Sequence, residues 1–134
     1  MIQYTDSLIG ITADNLQGFF VGWPNPLSPE THLKLLEGSD HIVLAVDDET
    51  GDVVGFVTAI TDGVLSAYIP LLEVLPGYQG RGIGKELTRR MLDRLRGFYM
   101  VDTVCDPELV PFYARFRMVA GHAMMLRRRL QPGR

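Results

Sequence analysis

A glycine-rich run carrying two bases, Gln79-Gly80-Arg81-Gly82-Ile83-Gly84-Lys85, has the makings of an anion site. Where such a run turns from a strand into a helix, unpaired backbone N–H groups point outward and the helix dipole adds partial positive charge. Glycine lets an anion approach the backbone closely. Arg81 and Lys85 add full charges, and Arg89, Arg90, Arg94 and Arg96 follow. Charge-assisted hydrogen bonds contribute about 1.5–3 kcal/mol each, so two or three account for micromolar capture of a diphosphate. Two phosphate loops are excluded. The nucleoside-triphosphate loop needs glycine where Gln79 stands and Ser or Thr where Glu86 stands. The dinucleotide fingerprint needs a third glycine at Lys85 or Leu87. The remaining readings are a diphosphate cradle or a plain turn.

Other residues that could do chemistry point to structure instead. Cys105 has no histidine near it in sequence and lies in an apolar strand context, which suits a buried thiol. His32, His41 and His122 lack metal-ligand spacing, so no metal is expected. Arg127-Arg128-Arg129 reads as exposed charge, because an acidic chain is a poor nucleic-acid binder.

The elements that would position the glycine run follow from periodicity. Thr12 can cap a short helix through about Phe20. A proline cluster over 23–29 reads as a rigid loop, and Ser28-Pro29-Glu30 starts a helix that runs to about Glu37, with Gly38 as stop. His41 to Val46 and Val53 to Ile60 read as strands, and Asp62-Gly63 as a tight turn into a third strand, Val64 to Leu75. Pro70 cannot donate a ladder bond, so that strand is broken or bulged there. After the glycine run, Ile83, Leu87, Met91 and Leu95 recur every fourth residue, the apolar stripe of a helix. A strand over Phe98 to Val104, a short helix over Pro107 to Phe116 and a closing hairpin over Met118 to Leu130 complete the chain. The expected order is β-α-α-β-β-β-α-β-α-β-β, an α/β (α+β) mixed sheet with helices on its faces.

The 134 residues suit one domain, expected to span 1–134, with enough core to fold without disulfides or metal. One cysteine and no signal-like start fit a reducing, cytoplasmic setting. The longest uncharged apolar run, Gly63 to Leu72, is too short to span a membrane. The net charge of −3 hides an asymmetry: residues 1–80 carry one base against eleven acids, and 81–134 carry twelve bases against five. That split suits an anionic ligand at the C-terminal half and a cationic one at the N-terminal half, unless folding interleaves them.

Gln79-Gly80-Arg81-Gly82-Ile83-Gly84 resembles the Q/R-x-x-G-x-G/A signature of the GNAT superfamily of acyl-CoA-dependent N-acetyltransferases. Asp106-Pro107-Glu108-Leu109-Val110-Pro111-Phe112-Tyr113-Ala114-Arg115-Phe116 is similar to that family's later helix with its Phe-Tyr pair. Close similarity covers about residues 53–118. The resemblance implies a GNAT-like fold with a V-shaped opening between the bulged strand and the strand Phe98–Val104. It implies acetyl-CoA as co-substrate, its pantetheine arm against Leu72, Glu73 and Val74 and its pyrophosphate on Gln79, Gly80, Arg81, Gly82, Ile83, Gly84 and Lys85. Asp106 stands where the family often has asparagine, and an ionised acid accepts but does not donate. Arg115-Phe116-Arg117-Met118 replaces the usual Leu-Gly-Phe.

The implied reaction is attack of a neutral amine on the thioester, with Tyr113 as general acid to the leaving thiolate. Glu73 is the candidate catalytic carboxylate, although strand alternation could turn it away and relatives use water chains as base. Phe19, Phe20 and Trp23 could line an apolar amine site or form core, with Phe20 and Trp23 the substrate-binding candidates. The partner expected is a small-molecule amine. An acetyl-CoA-binding sensor or partner-binding domain without turnover, or an acetyltransferase of protein N-termini or lysines, are the competing readings. The family's C-terminal hairpin often mediates dimers, which makes a homodimer an expectation.

Overall fold

Apolar alternation builds the centre of the sheet. In β2 (His41–Asp47), Ile42 and Leu44 face one side while Val43 and Ala45 face the other, and all four are buried. A strand apolar on both faces must be covered on both. The computed structural model describes residues 1–128 and supplies both covers.

β1 (Ile2–Thr5), β2 and β3 (Val53–Thr61) pair antiparallel, with one irregularity between Ala45 and Val46. The strand expected from Val64 to Leu75 is two strands. Pro70 interrupts it, leaving β4 (Ser66–Ile69) and β5 (Leu72–Val74), as its missing N–H dictates. Both pair with β3, β4 near its end and β5 near its middle, while β4 alone pairs with β6 (Met100–Thr103), in parallel. The sheet order is β1-β2-β3-β4-β6, with β5 beside β3.

One face is covered by α2 (Ile83–Arg94), whose Ile83, Leu87 and Met91, with Leu95 just beyond, pack on Val43, Ala45, Val54, Val57 and Ala59. Gly55 makes this close approach possible. A Cβ there would lie 3.1 Å from Leu87 and 3.3 Å from Ile83. The other face is covered by α1 (Pro29–Gly38) and the loop before it, through Leu16, Phe19, Phe20, Leu27 and Leu36 on Ile42, Leu44, Val53 and Phe56. Ser28 caps α1 by accepting the Thr31 N–H at 3.1 Å, with Pro29 in the first turn.

Three expectations are corrected. The helix from Thr12 toward Phe20 is only a 3₁₀ turn, Ala13–Asn15, because Gly18 (φ 88°) and Phe20 (φ 65°) adopt left-handed backbone that a helix cannot contain. The helix over Pro107–Phe116 is a 3₁₀ turn followed by α3 (Val110–Ala114). No strand forms over 118–128, where Val119, Met124, Met125 and Leu126 stay exposed and no described strand pairs with the segment; the last residues of that expected hairpin lie outside the described residues. No helix among the described residues is long and apolar enough to cross a membrane.

Candidate active site

The break at Pro70 opens the sheet. β5 stays on β3 while β4 and β6 continue together, and a cleft of about 670 Å³ lies where they part. Its walls include Leu72, Glu73 and Val74 of β5, Gln79, the segment Thr103–Asp106 beyond β6, Tyr113 of α3, and Val21 and Trp23.

The register fixes what β5 presents. Thr58 donates to the Leu71 carbonyl, Phe56 faces Glu73, and Leu75 donates to the Val54 carbonyl. In an antiparallel ladder this alternation commits the backbone of Leu71, Glu73 and Leu75 to β3. The N–H and C=O groups of Leu72 and Val74 therefore face the other way, along the cleft. The Gln79 side-chain amide donates to the Val74 carbonyl at 3.0 Å. An extended amide-bearing chain could pair with the remaining outward groups as an added strand does.

The glycine run leaves the cleft at Gln79. Gly80 (φ 79°) and Gly82 (φ 81°) both take left-handed backbone, and Gly82 caps α2, so the first amides of that helix have no partner within it. Gly84 packs between Val74 and Phe112, with a Cβ position 3.8 Å and 4.0 Å from them. Arg81 lies over the Tyr78 ring, and the Tyr78 hydroxyl donates to Asp47 at 2.7 Å, which ties the loop to the β2–β3 turn. Lys85 is exposed, and Glu86 pairs with Arg89 and Arg90, which partly neutralises the helix. Arg94 pairs with Asp6, so the two oppositely charged halves of the chain do interleave at this point.

Tyr113 is only 8% exposed and still reaches the cleft. Burial, reinforced by the neighbouring Cys105, raises its pKa above the usual tyrosine value, with Thr103 acting in the opposite sense. Its hydroxyl is thus protonated at neutral pH, as a proton donor must be. Asp106 is exposed at the mouth of the cleft. Cys105 is half-buried and lines the cleft, more accessible than its strand context suggested.

Glu73 points into the loop-covered face. Paired opposite Phe56, it shares that residue's side of the sheet, and its carboxylate accepts the Phe20 N–H at 2.9 and 3.0 Å and the Val21 N–H at 3.3 Å. The two aromatics expected near the amine separate. Trp23 is 43% exposed on the cleft wall, whereas the Phe20 ring is 1% exposed in a cluster with Trp23, His32 and Phe56. Phe20 therefore reaches the site through its amide, and its ring is core. Phe19 is core as well. Among the lining residues that sequence reasoning did not place in the site are Val21, Pro70, Leu109, Met125 and Arg127; Pro70 carried a signal, the break itself, while the others carried none.

A split sheet, a glycine turn into a helix and a buried tyrosine lining the cleft are the arrangement that the acyltransferase resemblance implied. Residues 8–117 match the family model described as Acetyltransferase (GNAT) family, and the chain belongs to that family. A solved chain from Deinococcus radiodurans R1, described as an acetyltransferase, is 49% identical with a TM-score of 0.91, covering 95% of this chain and 88% of that one. The GNAT family protein SP0256 of Streptococcus pneumoniae is 27% identical with a TM-score of 0.77, covering 97% of this chain and 100% of that one. Glucosamine 6-phosphate N-acetyltransferase 1 of Oryza sativa subsp. japonica is 29% identical over 133 residues, 84% of this chain and 80% of that protein.

Proposed function

We propose that this chain moves an acetyl group from acetyl-CoA to the primary amine of a small molecule. The amine nitrogen attacks the thioester carbonyl carbon, the C–S bond breaks, and the CoA thiolate takes its proton from the Tyr113 hydroxyl. The nitrogen gives up one proton to solvent and the Tyr113 phenolate regains one from it, so the net products are the amide and the free CoA thiol. The observation that carries this reading is the outward backbone of Leu72 and Val74 in a cleft that also holds a buried, protonated tyrosine. The pantetheine amides would pair with those groups. The pyrophosphate would meet Gln79, Gly80, Arg81, Gly82, Ile83, Gly84 and Lys85, where left-handed glycines and the helix start favour an anion. Asp106 would accept a pantetheine N–H at the mouth. A leaving thiolate with pKa near 8.5 needs only modest help from a donor.

Trp23, exposed on the cleft wall, suits an amine with an apolar part. The reaction of the rice relative, by its name, falls in the same class. The test is calorimetric titration with acetyl-CoA, with 3′-dephospho-CoA as control, followed by thiol release with glucosamine 6-phosphate, spermidine and an aromatic amine. Micromolar affinity with thiol release on one amine supports the reading. No binding at millimolar acetyl-CoA would sink it.

A further inference from the structure

Glu73 sits in the cleft, yet its carboxylate is already engaged. Both oxygens accept the Phe20 amide, and one also accepts the amide of Val21. No Lys or Arg among the described residues pairs with it. The loop it holds is unusual: residues 18, 20 and 22 all take left-handed backbone, and two of them are glycine. Phe20 is not, so its φ of 65° is a strained position for an L side chain. A left-handed residue within a loop turns successive N–H groups to one side, making a concave anion site of backbone alone. Here the anion is a side chain from 53 residues away.

The loop is also anchored in the core. The Phe20 ring is locked in the core by His32 and Phe56, and the Trp23 ring packs edge-on against it at 4.9 Å. Val21 and Trp23 then stand on the same cleft wall as Glu73. Removing the carboxylate leaves the part-buried Phe20 amide unpaired at a strained residue, while the exposed Val21 amide turns to water, and the cheapest relief is for the loop to change shape. Its apolar wall would move with it.

We infer that Glu73 is a positioning residue: its carboxylate holds the loop 18–23 in the shape that sets Val21 and Trp23 as one wall of the cleft. This rests on the proposed function only in taking that wall to be the acceptor side. A base would need a free oxygen facing the amine, whereas a positioning carboxylate needs only to accept hydrogen bonds, which a glutamine also does through its amide oxygen.

Glu73→Gln and Glu73→Ala separate these roles, and two readouts need no acceptor. Trp23 is the single tryptophan, so its emission reports the wall directly. Hydrogen exchange at the Phe20 and Val21 amides reports the bonds themselves. In Glu73→Ala, emission should shift to the red and exchange at both amides should quicken about 10- to 100-fold. In Glu73→Gln, emission and Phe20 protection should stay near wild type. With the amine that releases thiol, Glu73→Ala should lose mostly in KM for that amine and Glu73→Gln should keep kcat within a few-fold. Unchanged exchange and emission in a folded Glu73→Ala would overturn the proposal even if no amine were turned over. A loss of kcat of about 10²–10⁴-fold in Glu73→Gln, with the loop intact, would overturn it in favour of a base. Failure of acetyl-CoA to bind wild type would leave the exchange result standing and sink the proposed function alone.

Discussion

The two sides of the sheet use the same strand differently. On one side β3 meets β2 along nearly its whole length, and each face is covered by apolar side chains. On the other side β3 is shared between β4 and β5, which part at Pro70, and a cleft fills the gap. The continuous side holds the fold together. The split side holds polar backbone groups, a carboxylate and a tyrosine that would be costly in a core without partners. The packed core and the proposed chemistry are thus divided across one nine-residue strand.

Mutations on either side test that division. The largest effect expected is from Tyr113→Phe, which should lower kcat about 10²–10⁴-fold while acetyl-CoA affinity by titration stays nearly unchanged. An unchanged kcat would remove Tyr113 from the chemistry. On the continuous side, Leu87→Ala should cost about 2–5 kcal/mol in urea unfolding, since Leu87 is wholly buried under β3. It should change kcat little. A comparable loss of kcat at temperatures where the variant is folded would blur the division.

The third test lies under the loop that joins the two sides. His32 is fully buried among Phe19, Phe20 and Phe56, neither ring nitrogen has a partner among the described residues, and burial lowers its pKa from 6.5 to about 4. Above pH 6.5 both folded and unfolded forms are neutral there and stability is unaffected. Between 6.5 and 4 the unfolded chain binds a proton that the folded chain refuses, so stability falls as pH falls. The full loss, roughly 3–4 kcal/mol, is reached below 4. Urea midpoints measured across that range should show this slope, and His32→Phe should remove it. An equal slope in both proteins would assign the acid sensitivity elsewhere.

Local signals were the legible ones. The Ser28-Pro29 start, the four-residue stripe of α2, the Asp62-Gly63 turn and the break at Pro70 each depend on neighbours within a few residues. The family match over 8–117 agrees with the fold and the acyltransferase class inferred from two short motifs. The Glu73 contact to Phe20 was not legible, because it depends on the register that sets Glu73 against Phe56 and on a left-handed non-glycine residue. The separation of Trp23 from Phe20 was hidden for the same reason, since three nearby aromatics carry no period that says which faces the cleft. Over 118–128 the apolar residues suggested strands, but a strand also needs an edge to join, and composition does not report one.

The parallel pairing of β4 with β6 has a topological consequence. Antiparallel neighbours can be joined by a tight turn, but parallel ones need a crossover that carries the chain back over one face of the sheet. Here that crossover contains the glycine turn and α2. It departs beyond the carboxyl end of β4, and β6 also ends there, at Thr103, with Val104, Cys105 and Asp106 running on into the cleft. Ligands of open α/β sheets bind outside the carboxyl ends of parallel strands, at the point where the strand order switches. Among the described residues this largely antiparallel sheet has one parallel pair, and its cleft opens at the carboxyl ends of that pair.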